Sequence, residues 1–104
     1  MKKHERYIER SDLKGATHLE VSVYYTKGGD NYFSSSTIRR GYYLSVIPVT
    51  KGNGMIGFTM FTGRKKFLLE TSRYSAKQFE LAVEMAKEFE DELIAAVAAE
   101  NKAA

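Results

Sequence analysis

The hydrophobic period of this chain changes once, at Ser75, and that change constrains the fold more than any other feature of the sequence. From Thr17 onward, apolar residues alternate with polar ones, which is the period of a half-buried β-strand. After Ser75, apolar residues recur every three or four positions, which is the period of an amphipathic helix. The sequence therefore predicts an α+β domain, a four-stranded antiparallel sheet followed by one long C-terminal helix, in the order ββββα.

Four strands are predicted from the alternation and from the turn residues between the runs. In the first run Leu19, Val21 and Val23 share one face, and His18, Glu20 and their neighbours face the other way. The connections after the second run are short, so the last three strands are expected to form an up-down meander. The predicted strands span residues 17–25, 42–49, 55–62 and 65–70.

The helix start has the clearest local signal. Ser75 and Gln78 have the spacing of a capping box, and Tyr74 and Phe79 have the spacing of a hydrophobic staple. We expect one continuous helix over residues 75–98, within a single domain that spans residues 17–98. Residues 1–16 are expected to form a basic N-terminal arm or short helix, and residues 99–104 a frayed tail. Residues predicted to be buried are Phe79, Val83, Ala86, Phe89 and Leu93 of the helix and Leu19, Val21, Leu44, Val46, Ile56 and Phe58 of the sheet.

Several classes of site are excluded by composition. The chain has no cysteine, so it has no disulfide, no thiolate zinc site and no cysteine nucleophile. His4 and His18 are 14 residues apart without patterned carboxylates nearby, so neither a metal, a cofactor nor a catalytic residue is predicted. No apolar stretch approaches the ~18 to 20 residues of a membrane span. We expect a cytoplasmic protein that binds a partner and catalyses no reaction.

Charge is distributed unevenly along the chain. Residues 1–74 carry a net charge of +7 and residues 75–104 carry −4, within a total of +3. A basic sheet half favours a polyanionic partner, although charge complementarity between the sheet and the helix would produce the same pattern.

Basic and aromatic side chains interleave along the sheet half of the chain. Tyr24 and Phe67 are two of the aromatic residues in this interleaved set. Unpaired bases stack on Tyr and Phe while Lys and Arg contact phosphates, so the pattern predicts binding of single-stranded nucleic acid. The alternative is that Tyr and Phe simply favour strands and that cations protect a sheet edge. The residues predicted to bind nucleic acid are Lys27, Tyr32, Phe33, Arg39, Arg40, Tyr43, Phe61, Arg64, Lys65 and Lys66.

Residues 26–38 form a long segment rich in Gly, Asn, Asp and Ser that nevertheless holds the adjacent aromatics Tyr32 and Phe33. A segment of this kind is predicted to be a functional loop. If the partner is a protein, the chain is an interaction module or an accessory or inhibitory factor of a mobile element, and this loop supplies the hot spot. A small-ligand pocket between sheet and helix is a third alternative.

Three apolar helix residues lie off the main stripe. Leu81, Met85 and Ile94 exceed what one sheet face can cover, so the sequence predicts a homodimer whose helices pair through them.

The order of four strands and a helix, the segment Gly63-Arg64-Lys65-Lys66 and the helix start Tyr74-Ser75 resemble a known family. The resemblance is to the single-stranded-DNA-binding domain of the transcriptional coactivators called positive cofactor four, and it covers residues 17–97. It implies a dimer paired through its helices, whose sheets form a saddle for single strands, with Arg64, Lys65 and Lys66 as the basic stretch before the last strand. The longer segment 26–38 departs from that pattern. The chain also resembles small proteins of unknown function from mobile elements of Gram-positive bacteria.

Overall fold

Seven strands and two helices are described by the computed structural model, which covers residues 4–30, 37–52, 55–58 and 63–103. The predicted site residues Tyr32, Phe33 and Phe61 lie outside the described residues. The strands are β1 (His4–Glu9), β2 (His18–Thr26), β3 (Gly29–Asp30), β4 (Thr37–Ile38), β5 (Gly41–Gly52), β6 (Met55–Phe58) and β7 (Arg64–Glu70), and the helices are α1 (Ala76–Ala86) and α2 (Glu90–Glu100).

The long strand β5 organises an antiparallel sheet with four strand positions. One edge of β5 pairs with the whole of β2 over residues 41–49, and β1 pairs with the far edge of β2. The other edge of β5 pairs with β7 in its first half and with β6 in its second half. The small hairpin of β3 and β4 is separate from this sheet. The prediction of an α+β fold with an antiparallel sheet is therefore confirmed.

The predicted meander of the last three strands is wrong, because β6 and β7 run in the same direction along one edge of β5. Val49 pairs with Phe58, and Val46 pairs with Arg64, both in antiparallel register. Gly63 lies against β5, where a Cβ would collide with the Val46 carbonyl oxygen and the Ile47 side chain. A glycine inside a strand pattern can mark a close backbone approach as well as a turn.

A strand occupies part of the segment that we expected to be an arm or a short helix. β1 pairs with β2 from His4 to Glu9, and Ile8 packs against the core. Its other residues are mostly charged or polar and exposed or half-buried, which suits an edge strand because charge discourages further pairing. The same charge hid the strand from an analysis based on hydrophobic alternation.

The core lies between the sheet and the two helices. Leu19 and Val21 of β2 and Leu44 and Val46 of β5 are buried there, as predicted, and Val23 is buried beside them. Ile56 and Phe58 belong to β6, but their side chains lie outside the described residues. The helices contribute Phe79, Ala82, Ala86, Val97 and Ala98 as buried residues, whereas Val83, Phe89 and Leu93 are only half-buried against the core.

The predicted start of the helix is confirmed, but the Ser75 N–H has a different hydrogen-bond partner from the one in a capping box. The Ser75 hydroxyl accepts a hydrogen bond from the Gln78 N–H at 3.1 Å, and the Tyr74 and Phe79 rings lie 6.4 Å apart. In a complete capping box, Gln78 would bind the Ser75 N–H. Here that N–H donates to the buried Tyr42 hydroxyl at 3.0 Å, and the hydroxyl donates to the Ser75 carbonyl at 2.9 Å. Tyr42 thus ties the helix start to β5.

The prediction of one continuous helix is wrong, because residues 87–89 form a tight turn between α1 and α2. The N–H groups of Lys87, Glu88 and Phe89 each bond to the carbonyl three residues earlier, at 3.2, 3.2 and 2.9 Å. Such bonds define a 3₁₀ turn. Because a 3₁₀ turn keeps apolar spacings of three, the sequence pattern continues through it without a visible break.

The C-terminal segment is hydrogen-bonded to the N-terminal one as far as Ala103, which differs from the predicted frayed tail. Asn101 is buried, its carbonyl accepts the Lys14 N–H at 2.7 Å, and the Ala103 N–H donates to the Asp12 carbonyl at 2.8 Å. Two ion pairs flank this junction. Arg64 hydrogen-bonds Glu100 and lowers the pKa of that carboxyl, and Arg10 does the same to the pKa of Asp12.

Acid is expected to weaken this junction. Because both pKa values are lowered in the folded chain, the two carboxylates stabilise it at neutral pH, and the contribution is lost as pH falls below the ordinary values of about 4. Thermal melts should therefore show a fall in Tm on acidification that is smaller in Glu100→Gln than in wild type. An equal fall in both proteins would contradict a role for the Glu100 pair.

Candidate nucleic-acid interface

Three aromatic rings form a row on the face of the sheet that points away from the helices, which we call the outer face. Tyr24 of β2 pairs with Tyr43 of β5, and Tyr43 pairs with Phe67 of β7. The Tyr24 and Tyr43 rings are stacked with centroids 5.9 Å apart, and the Tyr43 and Phe67 rings meet edge to face at 5.2 Å. This aromatic row thus crosses three adjacent strands, and all three of its side chains are half-buried.

A cation stands at each side of the aromatic row. The Arg39 guanidinium carbon lies 4.1 Å from the centroid of the Phe67 ring, and the Lys65 ammonium lies 5.7 Å from that of Tyr24. Arg39 also pairs with Glu70 at 2.7 Å, and the two side chains are 63% and 70% exposed. An ion pair this exposed contributes little to stability. Lys65 is exposed too, so both cations remain accessible to a ligand from solvent.

A β-bulge in β7 directly follows Phe67, which lies on the outer face together with Lys65. Tyr42 pairs with Leu69 but Tyr43 pairs with Phe67, so Leu68 is an extra residue with no partner in β5. Leu68 is buried in the core, and Leu69 packs against it as well. A regular strand would alternate these two side chains. The bulge lets both leucines serve the core while Phe67 joins the aromatic row.

The predicted basic triplet is divided between the two faces of the sheet. Only Lys65 lies on the outer face, whereas Arg64 and Lys66 lie on the helix side, opposite Val46 and Leu44. There the Arg64 Nε donates to Glu100 at 2.9 Å, and the Lys66 ammonium lies 4.4 Å from the centroid of the Phe89 ring. Alternation along β7 causes the division, because consecutive strand residues point to opposite faces.

Arg40 has a structural role in the described chain. Its guanidinium donates to the carbonyl of Lys27 at 2.9 Å and to that of Ser72 at 3.0 Å. It thereby ties the turn after β2 to the segment that leads into α1. Lys27 is exposed in that turn. The predicted roles of Tyr32, Phe33 and Phe61 remain predictions, since these residues lie outside the described part of the chain.

Tyr24 and Phe67 belong to the aromatic row. The sequence analysis named them in the interleaved set but did not select them as binding residues. For Tyr24 a signal was present, because the alternation of β2 already placed it opposite the core residues Val23 and Tyr25. For Phe67 a signal was present as well, because alternation in the predicted strand over residues 65–70 places it on the same face as Lys65. The bulge, which only the pairing of β7 with β5 reveals, changes the direction of Leu69 and not that of Phe67.

His18 makes contacts that the sequence analysis did not predict. Its Nδ1 lies 2.7 Å from the Thr17 hydroxyl, and its Nε2 lies 3.8 Å from a Glu9 carboxylate oxygen. Thr17, His18 and Glu9 lie in the order of a proton relay. A catalytic histidine, however, needs both partners within about 2.6–3.2 Å, and the Glu9 carboxylate is farther away than that. The Glu9 side chain is 87% exposed. We therefore interpret the pair as a surface contact.

The three residues predicted to pair two helices differ in their surroundings. Leu81 is 52% exposed, whereas Met85 and Ile94 pack partly against the core of their own chain. Dimer formation through these residues remains a prediction, and Leu81 is the one of the three that is exposed.

Comparison with known proteins gives no match for this chain among models of protein families, curated proteins or solved structures. Among the residues described here, no group of three His, Asp or Glu side chains could hold a metal ion. Neither described helix is long and apolar enough to cross a membrane.

Proposed function

We propose that the protein binds single-stranded nucleic acid, with single-stranded DNA favoured, and catalyses no reaction on it. The observation that carries the proposal is the aromatic row of Tyr24, Tyr43 and Phe67 between the cations Arg39 and Lys65. Rings on adjacent strands offer a stacking surface, and the flanking cations suit the phosphates on either side of it.

Stacking supplies most of the affinity in this proposal. Each base stacked on an aromatic side chain contributes roughly 1 to 3 kcal/mol and requires no particular base identity. A duplex hides the faces of its bases, so it should compete poorly. Arg39 exchanges its exposed partner Glu70 for a phosphate at little cost, because such surface pairs are worth ~0 to 1 kcal/mol.

The resemblance to the positive cofactor four family agrees with this proposal. It implies single strands held on a sheet and subunits paired through their helices, and the exposed Leu81 of α1 supports the pairing. The proposal differs from the family pattern in one respect, since Lys65 alone of the three consecutive basic residues lies beside the aromatic row.

The proposal is tested by titrating a labelled thymidine-rich single strand at several salt concentrations and following fluorescence anisotropy. Arg39→Gln with Lys65→Gln is expected to weaken binding and to flatten the plot of log affinity against log salt by about 1.4, at ~0.7 for each phosphate contact. Lys77→Gln is the matched control, because Lys77 is exposed on α1 in the helix layer. It should leave both quantities close to wild type.

Two results would refute the proposal. One is no detectable binding of the single strand at about 50 mM salt, and the other is a preference for the duplex. Either result would favour the alternative of a protein-interaction module or an accessory factor of a mobile element, in which aromatic and arginine side chains form a protein hot spot.

A further inference from the structure

A groove of about 250 Å³ lies between β7 and α2, on the helix side of the sheet. Pockets that enclose drug-sized ligands span about 300 to 1,000 Å³, so this groove suits one flat group better than a whole cofactor. Its apolar lining is Phe89, Leu93 and Ala96, and its charged lining includes Arg64, Lys66 and Glu92.

The groove repeats the chemistry of the outer face. The Lys66 ammonium lies 4.4 Å from the centroid of the half-buried Phe89 ring, which pairs a cation with an aromatic face as Lys65 and Tyr24 do. A lysine side chain is long and flexible, so a base can take its place on the ring while the ammonium moves to a phosphate.

Lys65 connects the groove with the aromatic row. It contributes to the lining of the groove, and its ammonium lies 5.7 Å from the Tyr24 ring on the outer face. Lys65 and Lys66 are consecutive and point to opposite faces, so they place one cation on each side of the sheet at β7. A flexible single strand can pass from one cation to the other around the edge of β7.

Glu92 distinguishes the groove from a simple phosphate site. A carboxylate repels phosphates, but it accepts hydrogen bonds from the exocyclic amino group of cytosine. Thymine offers only a ring N–H between two carbonyl oxygens that repel a carboxylate. The charged lining therefore fits a nucleotide whose phosphate meets Lys66 and whose amino-bearing base meets Glu92.

We propose that this groove is a second nucleotide subsite, reached around the edge of β7, that prefers a base with an exocyclic amino group. The inference rests on the proposed function, since it extends the path of the same bound strand. It predicts that longer strands bind more tightly because they occupy the groove as well as the aromatic row.

The test compares labelled oligodeoxycytidylates of about 4 and about 8 nucleotides, within the ~4 to 16 nucleotides that compact single-strand-binding domains cover. Wild type should bind the longer strand about fivefold or more tightly. Lys66→Gln should abolish this gain and lower the salt slope of the longer strand by about 0.7, with the shorter strand unaffected. Lys87→Gln, which alters an exposed lysine paired with Glu84 on α1, should retain the gain.

The base preference is tested with oligothymidylate of the longer length. Wild type should prefer the cytidine strand, and Glu92→Gln should bind the two strands equally. The subsite is ruled out if wild type gains nothing with length, if it binds the two bases equally, or if Lys66→Gln weakens both lengths alike. In each of these cases binding of the short strand still supports the proposed function, whereas failure to bind the short strand at low salt refutes both.

Discussion

Replacement of Tyr42 by alanine is expected to lower the free energy of unfolding by about 3 to 5 kcal/mol, the usual cost of removing a buried aromatic side chain. Tyr42 is fully buried, and its ring lies 5.4 to 6.2 Å from those of Tyr25, Tyr74 and Phe79. Its hydroxyl also binds both backbone polar groups of Ser75. The substitution therefore removes the centre of an aromatic cluster and an anchor of α1.

Tyr42→Phe separates these two contributions. It keeps the ring and removes the hydroxyl, so about 1 to 3 kcal/mol should be lost, since two hydrogen bonds of ~0.5 to 1.5 kcal/mol each disappear. Tyr43→Phe is the matched control, because the Tyr43 hydroxyl makes an exposed bond to the Arg39 carbonyl at 2.8 Å. Urea unfolding measures all three variants. A loss for Tyr42→Phe no larger than that for Tyr43→Phe would contradict an anchoring role.

The parts of the fold that could be predicted from sequence are those fixed by neighbours in the chain. The alternation around Val21 and Leu44 identified two central strands, because both have one face in the core. The cap at Ser75 and the staple of Tyr74 and Phe79 were predictable because each lies within one helical turn.

The parts that could not be predicted depend on pairing between distant residues or on a local change in the hydrogen-bond pattern of the helix. β1 carries too much charge to show alternation, and only its pairing with β2 defines it. The collinear strands β6 and β7 depend on the approach of Gly63 to β5. The turn at residues 87–89 changes the hydrogen-bond pattern but not the apolar spacing.

The candidate site shows the same division. Sequence identified the residue types and named Arg39, Tyr43 and Lys65, because interleaved basic and aromatic side chains are visible in one dimension. Alternation in the predicted strand over residues 65–70 places Lys65 and Lys66 on opposite faces, but only the pairing of β7 with β5 shows which face lies toward the helices. The sequence analysis grouped Arg64 and Lys66 with Lys65 by residue type, although those two side chains lie on the other side of the sheet.

Tyr43 is adjacent to Tyr42 in the chain, but its replacement is expected to weaken the binding of single strands rather than to destabilise the fold. Tyr43→Leu combined with Phe67→Leu should lower affinity for a thymidine-rich single strand by about 30-fold or more, since each stacked base contributes roughly 1 to 3 kcal/mol. Leucine keeps apolar bulk but has no flat π face. The slope of log affinity against log salt should stay at the wild-type value, because stacking releases no counterions.

Tyr7→Leu is the matched control for this double variant. Tyr7 lies on the outer face too, and the Lys51 ammonium is 4.6 Å from its ring centroid. However, it stands on β1 beside Glu20, and burial together with the Glu20 and Glu5 carboxylates raises its pKa. That acidic surrounding disfavours a phosphate, so Tyr7→Leu should bind as wild type does. Equal losses for Tyr7→Leu and the double variant, with unchanged thermal melts, would mean that the aromatic row has no special role and that the outer face binds by apolar contact alone.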